Sequence, residues 1–175
     1  MDIRPCAQAA HFEKVSFEQY ANFFKPGKCS QPYDEKACRA QYDAIKLPTR
    51  ATEWSAGYDF YLPRRLVLFP DQTILIATGI RVKLDPGWML ALFPRSGLGF
   101  KYGFRLRNTV GIIDGDYYYA DNEGHIMARV LTDEVIALES GDRFMQGIIV
   151  PYGLAYDEDM SQMKQRTGGM GSTGA

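Results

Sequence analysis

Hydrophobic positions along the chain follow two different periods. In the first part, Phe17, Tyr20, Ala21 and Phe24 recur at i, i+3, i+4 and i+7, and Ser16 stands three residues before Gln19. This pattern predicts a short amphipathic helix with a capping-box start, closed by Pro26 and Gly27. A second helical stretch, from about Asp34 to Ile45, is rich in Ala, Lys, Arg and Gln and stops before Pro48. Residues 1–50 are therefore expected to form a helical N-terminal extension that packs on the core.

From Ala56 the period becomes two. Ile80, Val82 and Leu84 alternate with Arg81 and Lys83, and Asp85-Pro86-Gly87 then forces a turn. The apolar run Trp88 to Phe93 reads as the next strand, Phe104 and Leu106 alternate with arginines, and Ile126, Ala128 and Val130 alternate again. Short strands at this spacing, with Gly, Asp and Pro between them and no long helix, predict an all-β body over residues 51–156. An antiparallel sandwich, jelly roll or barrel satisfies the pattern; a parallel βαβ sheet does not. Residues 157–175 lose the apolar period and become polar and Gly-rich, which predicts a flexible C-terminal arm.

Composition narrows the function classes. An apolar share of 46% in 175 residues suffices for one sizeable core. Twenty basic against 21 acidic residues leave a formal charge of −1, so no broad positive surface is expected to hold a nucleic-acid polymer. A polyphosphate ligand would have to be held by a few placed cations. Cys6, Cys29 and Cys38 lack paired spacing, which predicts idle thiols in a reducing compartment rather than disulfides or a metal cluster. Neither a signal peptide nor a membrane span is expected, and the cytoplasm is the predicted location.

Five short segments carry candidate chemistry: AGYD (Ala56 to Asp59), PRSG (Pro94 to Gly97), NTVGIIDGDY (Asn108 to Tyr117), GDRFMQ (Gly141 to Gln146) and RTGGMGSTG from Arg166. Taken singly, PRSG and Gly141-Asp142 read as turns, the latter as a hairpin turn. Asp114 differs, because a carboxylate at the mouth of an apolar hairpin built from Val110, Ile112 and Ile113 can hold and deprotonate a water molecule. The closing glycines would let backbone N–H groups approach phosphate oxygens, with Arg166 as a bidentate fork and Ser172 and Thr173 as hydroxyl donors.

In this order the five segments resemble the five motifs of the trimeric dUTPase family, from about Ala56 to the end of the chain. The resemblance implies a distorted jelly-roll β-barrel that assembles as a homotrimer, with each site built from more than one subunit and closed by the C-terminal arm. It implies hydrolysis of dUTP to dUMP and pyrophosphate, with Asp114 activating the attacking water. Asp59 would support the assembly through Arg or metal-bound water. Arg95, Ser96, Gly97 and Gln146 would hold the phosphate chain. Asn108 and the backbone at Ile112 and Ile113 would read uracil, Tyr117 would lie beneath the deoxyribose, and Met127 would line the same pocket. Arg166, Gly168, Gly169, Met170 and Ser172 would close over the substrate. Mg2+ would be held mainly by the phosphates and water, with no dedicated protein ligands.

Several positions depart from the family pattern. Met170 stands where an aromatic usually stacks on the base, and Arg166 is one position closer to the paired glycines. The loop YYADNEG after Tyr117 is longer than usual, and Gly99 and Gly147 replace commoner apolar residues. Two other readings remain: a dUTPase-like trimer that binds a protein partner through its N-terminal extension, and a dCTP deaminase.

Overall fold

The computed structural model describes residues 7–25, 33–159 and 161. The chain opens with a strand, β1 (Ala10–Lys14), followed by α1 (Phe17–Asn22) and α2 (Glu35–Asp43). β2 (Thr49–Arg50), β3 (Tyr58–Tyr61), β4 (Leu66–Leu68), β5 (Ile74–Ala77), β6 (Ile80–Leu84) and β7 (Trp88–Pro94) come next, and α3 (Ser96–Tyr102) interrupts them. β8 (Arg105–Leu106) and β9 (Gly111–Ile113) precede a 3₁₀ helix at Gly115–Tyr119, and β10 (Met127–Leu131), β11 (Ile136–Leu138) and β12 (Arg143–Pro151) complete the body.

Every pairing among the described strands is antiparallel. The largest sheet has the order β2-β3-β12-β7-β9, and smaller sheets join β5-β10-β8, β11-β4 and β1-β6. These sheets close around one core that includes Phe60, Leu68, Leu90, Phe104, Val130 and Phe144, all at most 1% exposed. The all-β expectation of jelly-roll type holds.

The N-terminal segment corrects one expectation and meets another. Both helices form: the Ser16 hydroxyl accepts the Gln19 N–H at 3.1 Å, and Asp34 caps α2 through the Ala37 N–H at 3.2 Å. Phe17, Tyr20, Ala21 and Phe24 are all buried, as the period requires. The segment is not purely helical, however, because β1 pairs with β6 along its whole length. Its sequence, AHFEK, alternates too weakly to announce a strand, and tertiary pairing decides the matter. Phe12 then meets Tyr58 and Phe60 at ring distances of 5.3 and 5.9 Å.

Val15, Phe17, Tyr20, Phe24 and Cys38 form a second apolar cluster that also takes in Ala77 of β5. Gly79 makes the junction possible. Its φ is +72°, its carbonyl accepts the Val15 N–H at 3.0 Å, and an added Cβ would collide with Ile45 and Tyr20.

Three turn expectations need revision. Within PRSG the chain already enters α3, capped by Arg95, starting at Ser96 and ended by Gly103 in the left-handed conformation. β8 and β9 do not pair with each other: β8 joins β10 and β9 joins β7, so the intervening turn at Thr109, φ +67°, carries the chain between sheets. Gly141, φ +87°, does make a turn, but β11 pairs with β4 and β12 with β3 and β7, so it is no hairpin.

Candidate functional site

Strand register assembles part of the predicted site. Gln146 of β12 lies opposite Asp59 on β3 and opposite Phe93 on β7, and Met145 lies opposite Pro94. The AGYD, PRSG and GDRFMQ segments therefore meet at one end of three adjacent strands. Gln146 donates to the Pro94 carbonyl at 3.3 Å, and its Oε1 lies against Gly57, where a Cβ would collide with it. A larger residue at this position would displace the Gln146 amide.

Asp59 is 7% exposed and keeps its charge buried by dividing its carboxylate between two arginines. Oδ1 forms an ion pair with Arg95 Nε at 3.1 Å, and Oδ2 accepts a hydrogen bond from Arg143 Nη1 at 3.1 Å. A carboxylate so engaged fixes the two guanidinium groups, which remain partly exposed and carry charge toward solvent. Arg143 lies inside GDRFMQ but was not among the expected site residues; its place in a strand next to Asp59 marks it only once the register is known. Ser96 and Gly97 are exposed at the start of α3, and nothing lies within 4 Å of where a Gly97 Cβ would stand.

The NTVGIIDGDY residues gather elsewhere. β9 is the terminal strand of its sheet, so one of its edges faces away from β7 with main-chain donors and acceptors unused by the ladder. Ile112 is 49% exposed there, Ile113 is buried, and Asn108 is exposed just before the strand. Asp114 follows at the surface and leads into the 3₁₀ helix. Ile113 lies opposite Leu90. Arg95 is five residues further along the chain, roughly 17 Å at strand rise, and Asp114 continues the opposite way. One chain therefore does not bring Asp114 to the Asp59–Arg95–Arg143–Gln146 group.

Tyr117 sits in the 3₁₀ helix, 2% exposed, with its hydroxyl donating to the His125 carbonyl at 2.8 Å and accepting from Asn122 Nδ2 at 2.8 Å. These contacts pack it against the loop that follows the 3₁₀ helix. Met127 begins β10 and is half-buried. Arg166, Gly168, Gly169, Met170 and Ser172 lie outside the described residues.

The dUTPase family model matches residues 43–174. The chain belongs to the dUTPase family. A deoxyuridine 5'-triphosphate nucleotidohydrolase from Lactococcus lactis subsp. lactis (strain IL1403) is 40% identical over 134 residues, 75% of this chain and 89% of that protein. One from Hahella chejuensis (strain KCTC 2396) is 40% identical over 138 residues, 74% and 88% of the two chains. The crystal structure of dUTPase from Streptococcus mutans superposes with a TM-score of 0.57 at 41% identity, covering 62% of this chain and 88% of that one. All five segments of this dUTPase-family chain fall inside the matched span. β1 and α1 precede it.

Two further features were invisible in sequence. A groove of about 800 Å³ runs between the N-terminal strand and the large sheet, bounded by Ala10, Trp54, Tyr58, Trp88 and Ile149. His125 is fully buried, its Nε2 accepts the Gly79 N–H at 2.9 Å, and burial pushes its pKa down to about 4. Burial likewise raises the Cys38 thiol, leaving it a poor nucleophile.

Proposed function

We propose that the protein hydrolyses dUTP to dUMP and pyrophosphate as a cytoplasmic homotrimer, keeping uracil out of DNA and supplying dUMP. The observation that carries this reading is the grouping of Asp59, Arg95, Arg143 and Gln146 across three strands, a cationic cradle braced by one buried carboxylate. It suits a ligand with several phosphates and a protein without net positive charge.

Asp114 takes a proton from water, and the water oxygen bonds to the α-phosphorus. The bond from that phosphorus to the α,β-bridging oxygen breaks, and pyrophosphate leaves with the electron pair. Arg95 and Arg143 neutralise charge on the phosphate chain, with Ser96, Gly97 and Gln146 positioning it. The outer edge of β9 at Ile112 and Ile113, with Asn108, reads uracil through main-chain groups, and a cytosine ring offers them the reversed donor and acceptor pattern. Tyr117 and Met127 bound the sugar side. Arg166, Gly168, Gly169, Met170 and Ser172 belong to the closing arm.

Mg2+ supplies charge neutralisation to the triphosphate. The donor set fits an ion carried by phosphates and water, because both Asp59 oxygens are held by arginines and among the described residues no three His, Cys, Asp or Glu converge.

The roughly 17 Å between Ile113 and Arg95 along β7 exceeds what one α-phosphorus can bridge. This supports a site that joins Asp114 of one copy to Arg95 of another, as a closed homotrimer allows. The aromatic face of the N-terminal extension is spent in packing, which favours a structural role over docking of a protein partner. Among the described residues no helix is long and apolar enough to cross a membrane.

Pyrophosphate release is to be measured with Mg2+ from dUTP, dTTP, dCTP and UTP. Release confined to dUTP, and reduced roughly 10²- to 10⁴-fold in Asp114→Asn, supports the assignment. Release from none of them overturns it, and ammonia release from dCTP would point to a deaminase.

A further inference from the structure

The loop YYADNEG and the N-terminal extension both lie apart from the motif chemistry, yet they are joined to each other. Glu123, near the end of the loop, reaches across 107 residues to Ser16: its Oε2 accepts the Ser16 N–H at 2.7 Å and its Oε1 accepts the Ser16 hydroxyl at 2.6 Å. In a capping box the first of these roles, accepting the N-cap backbone N–H, belongs to the helix's own third residue. Here Gln19 supplies its N–H to Ser16, and the return contact comes from Glu123 instead.

A second bridge runs alongside. The Tyr118 hydroxyl donates to Glu13 Oε2 at 2.9 Å, and Arg81 pairs with the same carboxylate at 2.8 Å while its guanidinium lies 4.4 Å from the Tyr118 ring centre. Glu13 and Arg81 are cross-strand partners in β1 and β6.

The loop between these bridges is folded tightly against Tyr117. Glu123 and Gly124 take φ values of +57° and +68°, and an added Cβ on Gly124 would approach the Tyr117 carbonyl and Tyr118 Cα to 2.8 Å. Such backbone for a glutamate is held by its surroundings. Asn122 of the same loop donates to the Tyr117 hydroxyl. The 3₁₀ helix that carries Tyr117, and that Asp114 introduces, is thus clamped from its far side by β1 and α1.

We propose that Glu123 is a positioning residue: through its bidentate grip on Ser16 the N-terminal extension fixes Tyr117 and the backbone after Asp114, and thereby sets substrate affinity and the preference for deoxyribose over ribose. This rests on the dUTPase reading of the site. Ser16 and Glu13 precede the family-matched residues 43–174, whereas Glu123, Tyr118 and Arg81 lie within them, so the device joins the two parts of the chain. Tyr117, 2% exposed when clamped, is held against the loop that Glu123 closes.

The test uses the full-length protein, with kcat and KM for dUTP and UTP and a melting curve for wild type, Glu123→Ala, Glu123→Gln, Ser16→Ala and the Glu123→Ala/Ser16→Ala pair. Loss of charge-assisted hydrogen bonds predicts that Glu123→Ala lowers kcat/KM for dUTP by about tenfold, chiefly through KM, and narrows the dUTP-to-UTP preference. Ser16→Ala should move both quantities the same way, the double variant should be no worse than the worse single one, and Glu123→Gln should recover part of the loss. Folded variants with wild-type KM and preference overturn the proposal, as do additive losses equal for dUTP and UTP. If Glu123→Ala does not fold, Ser16→Ala and Glu123→Gln decide by the same criteria. A wild type that releases no pyrophosphate overturns the dUTPase reading itself, whereas an active wild type with unmoved variants overturns the positioning role alone.

Discussion

The two halves of the candidate site are held by different means. Asp59, Arg143 and Gln146 are placed by ladder register on β3 and β12, with Arg95 directly after β7 at the start of α3, and a shift of one residue in any strand would turn the side chains to the other face. Asp114 and Tyr117 stand beyond the last residue of β9, at the start of and within a 3₁₀ helix steadied by side-chain bridges from the segment before α2. The first half is fixed by the sheet that makes the fold. The second depends on contacts that could be removed one at a time while the barrel stays closed.

Deleting residues 1–45 breaks this contrast most severely. It strips β1 from β6 and exposes the cluster around Val15, Phe17, Tyr20 and Phe24. At about 1.5–3 kcal/mol per large side chain, the loss rivals the stability of a typical domain. The truncated chain should aggregate or melt far below the full-length protein in a thermal scan. A folded, active truncation would mean that the second half needs no clamp.

Asp59→Ala acts on the first half. It leaves Arg95 and Arg143 without their shared carboxylate, and since both guanidinium groups reach solvent the main effect expected is loss of their positioning, with only a modest loss of stability. Pyrophosphate release should fall with it. Asp59→Asn should retain the packing but loosen both arginines, which a rise in KM for dUTP would report. Unchanged kinetics in both variants would separate the cradle from the reaction.

Acid should weaken the second half through His125. The residue is neutral in the fold with its pKa pushed down to about 4, against about 6.5 when unfolded. Its contribution is fully present above pH 6.5 and is lost as pH falls toward 4, because the unfolded chain then binds the extra proton. The expected loss is about 3 kcal/mol, and urea melts at pH 7 and pH 4.5 should reveal part of it; His125→Phe should flatten that fraction of the pH dependence. Tyr118→Phe is the mildest change, removing one hydrogen bond to Glu13 at a cost of about 1 kcal/mol, with a small rise in KM.

Much of this was legible in the sequence. The period-two alternation after Ala56 gave the all-β body, and Ser16 and Asp34 marked both helix starts because caps are local chemistry. The five segments pointed to Asp59, Arg95, Asp114 and Gln146 as residues of one site. What could not be read was set by distance along the chain. β1 forms because β6 offers it an edge, α3 replaces a turn because Ser96 to Tyr102 have somewhere to coil beside the sheet, and Arg143 gains its role only when β12 lies against β3. The Ser16–Glu123 bridge spans 107 residues and has no spacing to recognise. Local signals named the chemistry, and long-range pairing decided how each half is held.

Under the proposed trimer, Asp114 and the Asp59–Arg95–Arg143–Gln146 cradle meet only between copies. Co-expression of Asp114→Asn chains with Arg95→Ala chains, each inactive alone, tests it most directly. In randomly mixed trimers a site needs its Asp114 from one variant and its Arg95 from the other, so about a quarter of wild-type pyrophosphate release should return. If the mixture forms trimers but stays as inactive as the separate variants, both residues must come from one chain, and the account of the site is wrong.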